Sequence, residues 1–209
     1  MKKFYSVVLA LVAFLNITLA QNDPNAKKIL DAVSAKMKTF KGVTASFVIK
    51  SITSKGKSNG VKTGTISFKG QKYMLKQGKT EILCDGAKVY NYDGNKTITV
   101  SGVEEGAQTL SPQNLLSNFY DKDFVYHLIS SKGNYSEIEL VPVDKRKNFQ
   151  KVNVFVDRAK NMITKARIID KGNNVIEFSL SNLNTVAPIS EKTFVFDKNK
   201  YPKDVEILD

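Results

Sequence analysis

Tryptophan is absent from this chain of 209 residues, and cysteine and histidine occur once each, as Cys84 and His127. A single cysteine excludes an internal disulfide framework, so the core must be stable without one. The chain also lacks an HExxH motif, a GxSxG motif, paired cysteines and a glycine-rich phosphate loop. We therefore expect no metal, no cofactor and no enzymatic activity, with Cys84 and His127 in structural roles.

The chain also lacks a long apolar run after Ala20. No segment there approaches the roughly 20 apolar residues of a membrane-spanning helix. A shorter apolar segment, Phe4 to Ile17, follows Lys2-Lys3 and precedes Thr18-Leu19-Ala20. These features are typical of a secretory signal peptide. We expect cleavage after Ala20, so that residues 1–20 are the signal peptide and residues 21–209 form one exported, non-spanning domain.

Arginine is scarce although the formal net charge is +12. Only Arg146, Arg158 and Arg167 offer the planar fork that reads phosphates and base edges. The other positive charges are lysines spread along the chain. This pattern, together with export, argues against nucleic-acid binding and favours a charged, solvated surface.

The exported part begins with a predicted amphipathic helix. Asp23 is a suitable N-cap, Pro24 suits the first helical position, and Gly42 is expected to stop the helix. Between them, apolar residues recur at helical spacing on one face: Ala26, Ile29, Leu30, Val33, Met37 and Phe40. We expect this face to pack on something hydrophobic.

Most of the remaining chain consists of short alternating segments typical of strands. The predicted strands are 43–53, 62–69, 72–77, 81–85, 88–92, 97–103, 124–130, 135–141, 151–157, 162–170, 175–183 and 193–197. Asp85-Gly86 and Asp93-Gly94 are typical of tight hairpin turns. Roughly a dozen antiparallel strands in one domain must curve over on themselves, as a barrel or a strongly curved sheet.

Several predicted strands carry apolar residues on both faces. In the strand 72–77, for example, Tyr73 and Leu75 lie on one face and Met74 lies on the other. A sheet with one solvated face alternates apolar and polar residues. Either helices pack on one side of an ordinary sandwich, or the concave face encloses an apolar cavity. A short helix predicted from Ser111, with Leu115, Leu116 and Phe119 on one face, is a candidate cover.

The order of these motifs resembles the periplasmic outer-membrane lipoprotein carrier (LolA-type) family. After the N-terminal helix, the motifs are "VTASF" at 43–47, "GTISF" at 64–68, "CDGAKVYNYD" at 84–93 and "SPQNLL" at 111–116. The resemblance implies a mainly β, single-domain, unclosed antiparallel β-barrel. The N-terminal helix and short lid helices would cover its apolar concave face.

The resemblance also implies a function. Members carry lipoproteins through the periplasm by binding their acyl chains, taking them from an inner-membrane transporter to an outer-membrane acceptor. We expect the same cargo and partners here, with the carrier acting as a monomer. Lys69-Gly70-Gln71 stands where well-known members have an Arg-Pro pair whose arginine helps to hold the lid closed.

Site residues follow partly from the resemblance and partly from strand parity. Matched to family cavity or lid positions are Tyr73, Leu75, Ile82, Tyr90, Leu115 and Leu116. Parity and spacing add Phe47, Ile66 and Phe68 to the lipid-binding surface and Phe119 to the lid.

Three other functions stay open from the sequence. The first is an envelope binding protein of the same fold that senses lipid or lipoprotein without shuttling it. The second is an exported hydrolase that assembles His127 with Ser and Asp side chains in three dimensions. The third is a structural envelope protein without a cavity.

Overall fold

The computed structural model describes residues 22–103, 120–186 and 188–209. Its strands are β1 Val43–Ile52, β2 Ser58–Lys69, β3 Lys72–Gln77, β4 Thr80–Cys84, β5 Lys88–Tyr92, β6 Thr97–Gly102, β7 Phe124–Lys132, β8 Tyr135–Pro142, β9 Phe149–Asp157, β10 Met162–Asp170, β11 Val175–Asn184 and β12 Glu206–Leu208. The helix α1 spans Pro24–Lys38, a helical turn spans Tyr120–Asp123, and two 3-10 turns span Glu191–Phe194 and Lys198–Lys200. No helix in these described ranges is both long and apolar enough to cross a membrane.

All twelve strands belong to one sheet in the order β12-β6-β5-β4-β3-β2-β1-β11-β10-β9-β8-β7. Every neighbouring pair is antiparallel except β12 with β6, which is parallel. Within the described part of the chain, the end strands β12 and β7 do not pair with each other. The predicted unclosed, mainly β fold is therefore confirmed.

The helix α1 begins as the sequence predicts. Asp23 Oδ1 accepts hydrogen bonds from the backbone N–H groups of Asn25 at 2.8 Å and Ala26 at 3.4 Å, and Pro24 occupies the first turn. The helix ends at Lys38, before Gly42, because the Thr39 hydroxyl and N–H both donate to the Lys36 carbonyl. Its buried face, which includes Leu30 and Val33, belongs to the main core.

The two predicted Asp-Gly turns are also confirmed. Asp85 Oδ1 accepts from the N–H groups of Ala87 and Lys88, both at 2.8 Å, while Gly86 has a φ of 102°. Asp93 Oδ1 accepts from three backbone N–H groups that follow it in its own turn. Both carboxylates thus satisfy turn backbone, which is the usual role of Asp at such positions.

The prediction of a strand at 193–197 is wrong. A 3-10 turn spans Glu191–Phe194 instead, with the Ser190 hydroxyl accepting from the Lys192 N–H at 3.3 Å. The twelfth strand lies further on, at Glu206–Leu208, and extends the sheet beyond β6. Residues 188–208, here called the C-terminal segment, therefore return to the sheet in a way that apolar alternation did not indicate.

Candidate functional site

The apolar inner face of the sheet is assembled by strand register. Ala45 of β1 lies opposite Ile66 of β2, Ile66 lies opposite Leu75 of β3, and Leu75 lies opposite Ile82 of β4. Directly opposed residues of antiparallel strands point to the same face. One row of apolar side chains therefore crosses four neighbouring strands.

A second inner row runs parallel to the first. Val43 lies opposite Phe68, Phe68 opposite Tyr73, and Tyr73 opposite Cys84. Tyr73 is 5 % exposed and Cys84 is fully buried. The two rows bring together most of the predicted lipid-binding side chains, namely Phe68, Ile66, Tyr73, Leu75 and Ile82.

Phe47 joins this face one step further along β1. Its backbone pairs with Gly64 of β2, and a Cβ at Gly64 would collide with the Phe47 ring and the Lys76 carbonyl oxygen. The ring also stacks on Phe178 of β11, with centroids 6.0 Å apart. Phe47 is 1 % exposed. Because its ring contacts Phe178, it connects the inner face of β1–β4 with the inner face of β11.

The polar atoms of this surface stay uncharged at neutral pH. Burial raises the pKa of Tyr73 to about 12. Burial likewise raises the pKa of the Cys84 thiol, which donates to the Gln71 carbonyl oxygen at 3.6 Å. An apolar surface without ionised groups suits hydrocarbon, because no charge has to be desolvated when an alkyl chain binds.

Tyr90 is not brought together with the other predicted residues. It lies opposite Leu83, whereas Ile82 lies opposite Asn91, so Tyr90 points to the outer face. There its ring stacks on Phe196 with centroids 4.3 Å apart and an interplanar angle of 3°. Its hydroxyl donates to Asp85 Oδ2 at 3.4 Å. The expectation that Tyr90 shares a surface with Tyr73 and Leu75 is corrected by this register.

The C-terminal segment covers this part of the outer face. Phe194 and Val205 of the segment are buried, as are the outer-face residues Leu83 and Ile98. The Tyr201 hydroxyl donates to Glu81 Oε1 at 2.6 Å. The second apolar surface of β3–β6 is therefore covered by the chain itself, and no sequence pattern had indicated its cover.

Lys69 forms an ion pair with the C-terminal segment. Its Nζ lies 2.7 Å from Glu191 Oε1, and Lys72 Nζ lies 2.9 Å from Glu191 Oε2. Hydrogen bonds from both lysines hold the pKa of Glu191 down, at about 2. Lys69 and Lys72 thus hold the C-terminal segment against the β2–β3 turn.

The predicted lid residues Leu115, Leu116 and Phe119 lie outside the described residues. The next residue described, Tyr120, is anchored to α1, because its hydroxyl donates to Asp31 Oδ1 at 2.9 Å. Its ring also meets Tyr126 of β7 edge-on at 5.8 Å. The chain that follows residues 104–119 is therefore held against α1 and β7 on the inner side of the sheet.

The hydrolase alternative would require His127 beside Ser and Asp side chains. His127 is an exposed residue of β7, and its register partner is Glu139 of β8. Within the described ranges, no group of three or more His, Cys, Asp or Glu side chains could hold a metal ion. What these residues do assemble is a continuous apolar inner face, most of whose side chains are buried in the main core.

Comparison with known proteins agrees with this architecture. The family model for the outer membrane lipoprotein carrier protein LolA matches residues 38–197. No curated protein sequence matches the chain. Among the solved structures that match, an uncharacterized conserved protein from Thermus thermophilus is similar in fold, with a TM-score of 0.58 at 11 % identity and with 88 % of this chain and 98 % of that chain covered. A LolA superfamily protein from Nitrosomonas europaea has a TM-score of 0.47 at 13 % identity, with 82 % and 97 % covered.

Proposed function

Because this chain belongs to the outer membrane lipoprotein carrier protein LolA family, we propose that it binds the acyl chains of lipoproteins on the inner face of its sheet. The observation that carries the proposal is the pair of apolar rows that includes Phe68, Tyr73, Ile66 and Leu75 on adjacent strands. The family is one of binding or carrier proteins. The proposed role is delivery of lipoproteins from the inner to the outer membrane.

Localisation and partners form part of the same proposal. The signal peptide, residues 1–20, would be removed after Ala20, leaving residues 21–209 as one carrier domain in the periplasm. An inner-membrane transporter would supply the acylated cargo and an outer-membrane protein would accept it. The carrier would act as a monomer.

Transfer requires limited affinity for cargo. Complete burial of one acyl chain of about 15 methylenes is worth roughly 12 kcal/mol at about 0.8 kcal/mol for each CH₂. Several fully buried chains would dissociate too slowly for a carrier. We therefore expect partial burial, with Leu115, Leu116 and Phe119 as the movable cover. An acceptor with a somewhat more favourable apolar site then draws the cargo away without a chemical energy source.

The test uses two neighbouring residues on opposite faces of β3. Leu75→Gln places an amide of similar size on the inner face, whereas Met74→Gln places the same group on the outer face. An unpaired amide against hydrocarbon costs on the order of 1–3 kcal/mol, so Leu75→Gln should weaken acyl binding about tenfold or more. The readout is the affinity for a triacylated lipopeptide, with circular dichroism as the control for folding.

The same preparation separates carriage from sensing. Wild-type protein loaded with the lipopeptide is mixed with acceptor vesicles, and the lipopeptide that reaches the vesicles is measured. Transfer supports the carrier role, while binding without transfer supports the lipid-sensing alternative. Equal lipopeptide affinity of the two folded Gln variants would contradict the assignment of the inner face.

A further inference from the structure

A groove of about 470 Å³ opens among residues of β1 and β8 to β11. Val48, Ser179, Lys165 and Phe155 line it and occupy one register row across β1, β11, β10 and β9. Successive strand residues point to opposite faces, so this row lies on the face opposite Phe47. The groove is therefore distinct from the proposed acyl-binding surface.

Positive charge is concentrated in one part of this groove. Lys50, Glu177 and Arg167 form the next row on the same face, across β1, β11 and β10. With Lys165, three cations and a single carboxylate line the groove. Arg167 Nε lies 3.8 Å from Glu177 Oε1, and both side chains are about half exposed. Because a guanidinium group has five N–H donors, this one contact leaves other Arg167 donors available to a ligand. The excess positive charge favours an anionic occupant.

Aromatic side chains line the other part of the groove. Phe155 comes from β9 and Tyr135 from β8. Lys165 Nζ lies 5.3 Å from the Tyr135 ring centroid, so the cationic and aromatic parts adjoin. Glu137, the register partner of Phe155, accepts a hydrogen bond from Asn153 Nδ2 at 2.8 Å. The nearest carboxylate of that row is therefore already bonded to a neighbouring strand.

We propose that this groove binds a small amphiphilic organic anion, with an apolar ring or short chain that carries one sulfonate, carboxylate or phosphate. The anionic group would lie among Lys50, Lys165 and Arg167, and the apolar body would lie against Phe155 and Tyr135. Two strand spacings, about 10 Å, separate β10 from β8, which suits a small molecule of this kind. The volume also lies in the range of about 300–1,000 Å³ that is usual for small-ligand pockets.

The experiment compares two probes that differ in charge. One is 8-anilinonaphthalene-1-sulfonate, and the other is the uncharged N-phenyl-1-naphthylamine. Binding of each is followed by dye fluorescence with an excess of the uncharged acyl ligand 1-palmitoylglycerol present, so that the inner face is occupied and no competing anion is added. The sulfonate should bind with one equivalent and displace amide resonances of β8 to β11 in NMR spectra. Displacements confined to inner-face residues would overturn the proposal.

Variants then test the charges. The double substitution Lys165→Gln with Arg167→Gln should weaken sulfonate binding about tenfold, since each partly exposed charge contributes modestly. It should leave the affinity for the uncharged probe unchanged. Glu177→Gln should strengthen sulfonate binding. The matched control, Lys79→Gln with Lys203→Gln, removes two exposed lysines elsewhere. Equal sulfonate affinity of the groove variant and this control would overturn the proposal.

Anionic vesicles test whether the groove binds the anionic headgroups of a membrane instead of a soluble anion. Phosphatidylglycerol vesicles should sediment the groove variant and the control variant to the same extent. Selective loss of vesicle binding in the groove variant, with no sulfonate binding by the wild-type protein, would replace the small-ligand proposal with a membrane-contact site.

Discussion

The Asp23 carboxylate accepts a hydrogen bond through Oδ2 from the backbone N–H of Leu128, at 3.1 Å, while its other oxygen caps α1. Asn22 Oδ1 accepts from the Tyr126 N–H at 3.1 Å, and the Asp23 N–H donates to the Tyr126 carbonyl at 3.0 Å. Leu128 and Tyr126 belong to β7, an end strand of the sheet. Exposed end strands invite pairing with other chains, so Asn22 and Asp23 protect this edge.

The first prediction concerns Asp23. Asp23→Ala removes both the helix cap and the acceptor for Leu128, and should lower Tm by about 2–4 °C in a chain of this size. Asp23→Asn should have a smaller effect, because its oxygen can still cap α1 while its NH₂ group cannot accept from Leu128. Thermal unfolding followed by circular dichroism measures both. Asn25→Ala, in the same first turn, is the control, and an unchanged Tm for Asp23→Ala would contradict the double role.

Gly64 gives the second prediction. A methyl group at this position meets the Phe47 ring and the Lys76 carbonyl oxygen, so Gly64→Ala should cost about 1–3 kcal/mol of unfolding free energy. Gly64→Ala should cost less in a Phe47→Leu background than in the wild-type background, because the ring contact is relieved while the carbonyl contact remains.

Urea denaturation of Gly64→Ala, Phe47→Leu and the double variant gives the coupling free energy between the two sites. Ser67→Ala, on the outer face of the same strand, serves as the control. Additive losses in the double variant would show that the Phe47 ring does not limit the space at Gly64.

Much of the fold could be predicted from local patterns. Burial alternates along β1, β8 and β9, and this period of two is the signal that identified strands. Asp85 and Asp93 marked the turns because their carboxylates satisfy backbone N–H groups within a few residues. Strands and turns that depend on neighbouring residues could therefore be predicted from the sequence.

Structural details that depend on contacts between distant residues could not be predicted in this way. Tyr90 was matched to a family cavity position by motif order, but the pairing of β4 with β5 decides its direction, and a one-residue change of register exchanges the faces. Phe194 and Phe196 alternate like a strand, yet Phe194 ends a 3-10 turn and Phe196 packs against Tyr90. Tyr90, on which Phe196 stacks most closely, lies about 100 residues earlier in the sequence, beyond the reach of local periodicity.

The third prediction is a pH dependence at Glu191. Its pKa falls from 4.5 to about 2 through Lys69 and Lys72, so folding favours its ionised form. Stability from this group should be fully present above about pH 4.5 and be lost as the pH falls towards about 2. Glu191→Gln should therefore lower Tm at pH 7 but hardly change it at pH 2.

Salt provides an independent check of the same ion pairs. The Glu191 side chain is 58 % exposed, so 0.5 M NaCl should reduce the Tm difference at pH 7. Glu206→Gln, which makes the same charge change on β12, is the control. A Tm difference that persists undiminished at pH 2 would contradict the role of the ionised Glu191 carboxylate.

The last prediction separates the two faces of the sheet through Tyr90 and Phe196. Their rings are nearly parallel at 4.3 Å, so a double-mutant cycle of Tyr90→Leu and Phe196→Leu should give a coupling of about 0.5–1.5 kcal/mol in unfolding free energy. Because Tyr90 faces the C-terminal segment, Tyr90→Leu should leave the affinity for a triacylated lipopeptide unchanged. Loss of lipopeptide affinity in folded Tyr90→Leu, together with no coupling to Phe196, would return Tyr90 to the lipid-binding surface.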